Sequence, residues 1–74
     1  MGYYKDVKLV NKEIDKIMMD VLSGKKIIST NSLILELTNN YEVGEKIIEK
    51  RIQKWILENP QLKIIDNKIK NLDY

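Results

Sequence analysis

The side chains able to do chemistry in this chain are mostly lysines, and their spacing is regular. Lys46, Lys50 and Lys54 recur every fourth residue with Gln53 beside them, so a helix over this stretch would carry a stripe of ammonium groups flanking one amide. Lys63, Lys68 and Lys70 flank Asp66-Asn67 with the alternation that would place all three on one face of a hairpin. Rows of ammonium groups capture phosphates by charge, without covalent chemistry. Catalysis has no comparable footing. There is no histidine and no cysteine, so the commonest general base, the commonest zinc ligand and the thiolate nucleophile are all missing. Ser23, Ser29 and Ser32 have no histidine to activate them, no Gly-rich phosphate cradle exists, and the carboxylates are spread along the chain. No catalytic residue, metal ligand set, cofactor or small-molecule substrate is expected, and the chain is not read as an enzyme.

Seventy-four residues suffice for one domain with one core, 1–74. Hydrophobic residues make up 43% and charged residues 32%, too apolar for a disordered tail and without the long uncharged run that a membrane span requires. The net charge of +2 neither demands nor forbids a polyanionic partner, so the placement of charge must decide. Gly2 fits a myristoylation signal, but Asp6 stands where that signal needs Ser or Thr. With no secretory segment visible, the expected location is cytoplasmic, on the nucleoid if DNA is the partner.

Val10, Ile14, Ile17, Met18, Val21 and Leu22 recur at three and four, which predicts an amphipathic helix over 5–23 closed by Gly24. A short β-branched strand over 27–29 follows, then N-cap residues ahead of a second helix over 31–39. Asn39 to Glu42 read as a turn, and Val43, Ile47, Ile48, Ile52, Trp55 and Ile56 define a third helix over 43–59, which Pro60 must stop. Asp66-Asn67 is a two-residue turn inside a hairpin over 62–71, with Leu62, Ile64 and Ile69 on the packing face and Lys63, Ile65, Lys68 and Lys70 on the other.

The order helix, strand, helix, turn, helix, hairpin resembles the winged helix-turn-helix family. Ile28-Ser29-Thr30-Asn31-Ser32-Leu33-Ile34-Leu35-Glu36-Leu37 resembles the start of that family's second helix. Tyr41-Glu42-Val43-Gly44-Glu45-Lys46-Ile47-Ile48-Glu49-Lys50-Arg51-Ile52 resembles the start of its recognition helix, with Gly44 where Ser or Thr usually stands. The likeness spans roughly residues 7 to 72 and is similar in character to small archaeal and viral members. It implies an α+β fold with three helices and a C-terminal wing. It also implies binding of double-stranded DNA by helix three and the wing, through Lys46, Lys50, Gln53, Lys54, Lys63, Lys68 and Lys70, as a small transcriptional regulator.

The alternative is a winged-helix interaction module, an accessory subunit of a replication or transcription assembly. Glu45 and Glu49 lie beside the lysine stripe and favour it, whereas a run of like charges favours an anionic partner. Arg51, the single arginine, falls at the border of the packed face, and Trp55 shares the spacing of Ile48 and Ile52, which marks it as core before stacking platform. Tyr3, Tyr4, Tyr41 and Tyr74 are expected to be ragged ends or docking contacts. Leu9 and Met19 lie opposite helix one's core stripe, among Lys5, Lys8, Lys12 and Lys16; scattered apolars there are ordinary, and otherwise they mark a homodimer seam or a docking face for another protein.

Overall fold

In a computed structural model, which describes residues 6–73, Val10, Ile14, Met18 and Val21 are fully buried along one side of α1 (Val7–Leu22). Their spacing of four, four and three keeps them on one stripe of a 3.6-residue helix, and each removes apolar surface worth about 1.5 to 3 kcal/mol from water. α1 ends where Gly24 takes a φ of 78°, a left-handed turn that lets the Lys25 amide reach back to the Asp20 carbonyl at 2.9 Å. β1 (Ile28–Ser29) follows, then α2 (Thr30–Asn40), α3 (Glu45–Glu58), β2 (Leu62–Ile65) and β3 (Lys68–Asn71).

Leu33 and Leu37 of α2, Val43 of the turn and Ile48 and Ile52 of α3 close over the α1 stripe. Leu62 and Ile69 seal the core from below, on the inner face of an antiparallel sheet ordered β1-β3-β2. Ile28 faces Ile69, Ser29 faces Lys68, and across the hairpin Ile64 faces Ile69 while Lys63 faces Lys70. Asp66 and Asn67 both have positive φ, 52° and 65°, the conformation of the tight hairpin turn whose twist matches its strands. Three helices and a three-stranded antiparallel sheet make an α+β arrangement compatible with a winged helix. Among the described residues no helix is long and apolar enough to cross a membrane.

The elements differ from the sequence reading at their ends. Ser23 caps α1 instead of belonging to it, and Lys5 lies outside the described residues, as do Gly2, Tyr3, Tyr4 and Tyr74. Ile27 precedes β1, and α2 starts at Thr30 because the Ser29 hydroxyl accepts the Ser32 amide as its cap. α2 also runs through Asn40, into the interval read as a turn, and α3 begins at Glu45 and ends at Glu58. Val43, 5% exposed, belongs to the core but sits in the turn, so its burial mimics a helical position without being one. Tyr41 is neither ragged nor free, being half-buried against the core. Ile64 shares the packing face with Leu62 and Ile69 yet remains 39% exposed, because it lies near the hairpin tip beyond the helices' cover.

Candidate nucleic-acid interface

α3 turns Ile48 and Ile52 inward and thereby fixes what points outward. Lys46, Lys50, Gln53 and Lys54 are all exposed on the opposite side and line one shallow open groove along the helix. The described residues of that groove all belong to α3, and Lys50 and Lys54 also border a second, smaller groove with Val7 and Asn11 of α1. None of the three lysines forms an ion pair with a described residue. Glu49 and Glu58 also line the groove, which breaks the positive surface at its flanks.

Leu57 stands in the same groove with 80% of its surface exposed, the most exposed large apolar side chain among the described residues. The sequence reading passed over it, although helical spacing carries Lys50, Gln53 and Leu57 along one face at intervals of three and four.

The hairpin holds its three lysines as the alternation predicts. Lys63 and Lys70 are direct cross-strand partners, and Lys68 sits opposite Ile65 on the same outer face. Lys70 is half-buried and lines a small cavity with Lys26, Val21 and Gly24 at the end of α1, so it belongs to a basic corner away from the α3 groove. The hairpin turn is pinned inward. The Thr30 amide donates to the Asn67 carbonyl at 2.8 Å, and Asn67 Nδ2 donates to Ser29 Oγ at 3.2 Å.

A polar cluster behind the lysine stripe orients α3. Asp15 of α1 accepts Arg51 Nε at 2.9 Å and Nη2 at 2.6 Å, and its Oδ1 also accepts the Trp55 indole Nε1 at 2.7 Å. Hydrogen bonds from Arg51 hold the Asp15 carboxyl below its ordinary range, the indole adds to the effect, and Lys54 contributes by charge; partial burial pulls the other way. The same bonds raise the Arg51 guanidinium. From spacing alone Arg51 falls at the border of the packed face and Trp55 in the core, and the cluster was not foreseen, because their shared acceptor lies 36 residues upstream of Arg51 and no local spacing marks it. Trp55 packs at the edge of the core with its indole nitrogen satisfied, not as an exposed platform.

On α1, Leu9 and Met19 are 57% and 56% exposed, and Lys8, Lys12 and Lys16 surround them. Among the described residues no three acidic side chains converge closely enough to hold a metal ion. Compared with protein-family models, curated proteins and solved structures, the chain matches none of them.

Proposed function

We infer that this chain binds double-stranded DNA as a winged helix-turn-helix domain, with α3 in the major groove and the β2–β3 hairpin on the adjoining backbone, in the manner of a small transcriptional regulator. The observation that carries the reading is the outward face of α3, where Lys46, Lys50 and Lys54 stand exposed and unpaired among the described residues at four-residue spacing. Like charges so placed cost the free helix a few tenths of a kcal/mol per pair, a cost that a polyanion removes. Lys63 and Lys70, facing each other across the hairpin, carry the same penalty and the same remedy.

Base reading is meagre in this arrangement. Arg51 is held by Asp15, so contacts to base edges fall to Gln53 and the lysines, and phosphate contacts dominate. Binding is therefore strongly salt-dependent and low in sequence content. The test is a titration of a fluorescent duplex from about 50 to 200 mM salt, beside a variant with Lys46, Lys50, Lys54, Lys63, Lys68 and Lys70 all changed to Gln. Three to five lysine contacts give a slope of log K against log salt of roughly −3 to −4.5, which the variant loses. Absence of binding at about 50 mM salt overturns the reading.

The second reading, a protein-interaction module within a replication or transcription assembly, is favoured by Leu57. An 80% exposed leucine between lysine stems, with Glu49 and Glu58 nearby, suits the core of a protein interface better than a phosphate backbone.

A further inference from the structure

We propose that the groove between α1 and α3 is a phosphate site, in which the Asn11 amide and the Nη1 edge of Arg51 hold one backbone phosphodiester of the duplex between Lys50 and Lys54. The inference rests on the DNA-binding reading of α3 and deepens it, by adding α1 to the interface and by fixing which flank of α3 a strand follows. The described lining of this groove is Val7 and Asn11 from α1 and Ile47, Lys50, Arg51 and Lys54 from α3. Its volume of about 240 Å³ falls short of the ~300 to 1,000 Å³ that encloses a small organic ligand, and leaves room for an ionic group. All four polar side chains in that lining carry N–H donors, and three of them are cations. Asn11 is half-buried and makes no hydrogen bond with a described residue, which leaves its amide to solvent or to a ligand. Arg51 spends Nε and Nη2 on Asp15, so its Nη1 donors are uncommitted among the described residues, and Lys50 and Lys54 are exposed without an ion pair there.

Three carboxylates border the groove without filling it. Asp15 is bound by Arg51 and Trp55, Glu58 lies one turn beyond Lys54 and acts on Arg51 by charge, and Asp6, beside Val7, accepts the Glu42 amide at 2.7 Å. The described lining itself contains no carboxylate. Docking geometry brings a strand to this place. An α-helix is about 10 to 12 Å across and the major groove about 12 Å wide, so a helix seated there has a phosphate backbone along each flank. Lys50 and Lys54 line both this groove and the one that holds Leu57, and so form the ridge between them. Glu49, which lines only the Leu57 groove, meets a strand on that flank with like charge, whereas Asn11 and Arg51 meet one on the α1 flank with donors. The two unesterified oxygens of a phosphodiester can accept from both helices at once. Lys8, exposed and three residues before Asn11 on α1, continues the cationic path beyond the groove.

Nuclear magnetic resonance of the intact, 15N-labelled protein tests this at about 50 mM salt, with a short random-sequence duplex and, separately, with inorganic phosphate as probes. The side-chain amide signals of Asn11, assigned by their loss in Asn11→Ala, should move with the duplex in step with the α3 backbone amides around Lys50. Fluorescence titration supplies a second measurement. Asn11→Asp should weaken duplex binding by about tenfold, the loss of one hydrogen bond to a charged group. Asn39→Asp makes the same charge change at an exposed position of α2 outside the groove, and should weaken binding by about twofold at most. Should Asn11→Asp fail to fold, the signals of the intact protein still decide. A duplex that moves the α3 amides and leaves the Asn11 side chain still overturns the site and spares the DNA-binding reading. Equal losses in the two Asp variants overturn it as well. Asn11 signals that answer inorganic phosphate but not the duplex reduce the groove to a free-anion site and overturn the backbone contact. A duplex that moves no signal at all defeats the DNA-binding reading, and this inference with it.

Discussion

Asp15 and Arg51, on α1 and α3, meet as a two-pronged ion pair with N···O distances of 2.9 and 2.6 Å. The pair is about one third exposed on each side, so its worth is nearer that of a surface pair than of a buried one, with the planar fork and the third bond from Trp55 raising it. Its larger effect is directional. It ties the helix that carries the lysine stripe to α1 and withdraws the chain's single arginine from any role in reading guanine.

Asp15→Ala should lower stability at neutral pH by about 1 to 2 kcal/mol after allowance for exposure, measured by urea unfolding, and should shift Trp55 emission because the indole loses its acceptor. The carboxyl is held below its ordinary value of 3.8, chiefly by Arg51, so its contribution is complete above that value and fades as pH falls through the lowered one. The deficit of the variant should therefore shrink in strong acid. An equal deficit at pH 7 and at about pH 2 would show that packing, not charge, holds this corner.

Asn67→Val should lower the melting midpoint, by about 1 kcal/mol or more in stability. A β-branched residue resists a φ of 65°, and the bond from Asn67 Nδ2 to Ser29 disappears. An unchanged midpoint would mean that the turn tolerates rebuilding.

Gly44→Ser should stabilise the protein by about 0.5 to 1 kcal/mol. Gly44 caps α3 without a side-chain hydrogen bond, its φ of −80° suits any residue, and an added Cβ would meet nothing within 4 Å among the described residues. A serine hydroxyl there would accept an unpaired amide of the first turn. A loss of stability in thermal melts would argue that the helix start is covered.

Leu57→Asn should leave stability within about 0.5 kcal/mol, since an 80% exposed side chain contributes little to the core. It should also leave the salt slope of duplex binding unaltered, because no ammonium group is removed. A several-fold loss of duplex affinity at constant slope would assign Leu57 an apolar contact with the bases.

The parts of this fold legible in the sequence are those set by near neighbours. The α1 stripe follows from spacing alone, and Asp66-Asn67 declared the hairpin turn through two residues that accept positive φ. The start of α3 was misplaced by two residues because an apolar side chain in a turn and one in a helix leave the same trace in a hydrophobicity pattern, as Val43 does. Asn71 and Asp15 were invisible for a different reason. Asn71, 8% exposed, donates to the Leu22 carbonyl at 2.7 Å, and Asp15 binds α3; both bonds join residues far apart in the chain, where no periodicity runs. The lysines of the candidate interface were read from spacing, whereas Leu57, an apolar residue where only charge was sought, was not.

Ser29 both caps α2 and pairs with the hairpin, and its partner Asn67 lies 38 residues away. The three helices and the two-residue hairpin turn can form from local contacts, but the hairpin docks on β1 only after a loop about half the chain in length has closed, an ordering with a logarithmic entropy cost. The wing is thus the last part to arrive in folding and the first to leave. Substitutions at its turn should act almost wholly on the unfolding rate and leave the folding rate nearly untouched.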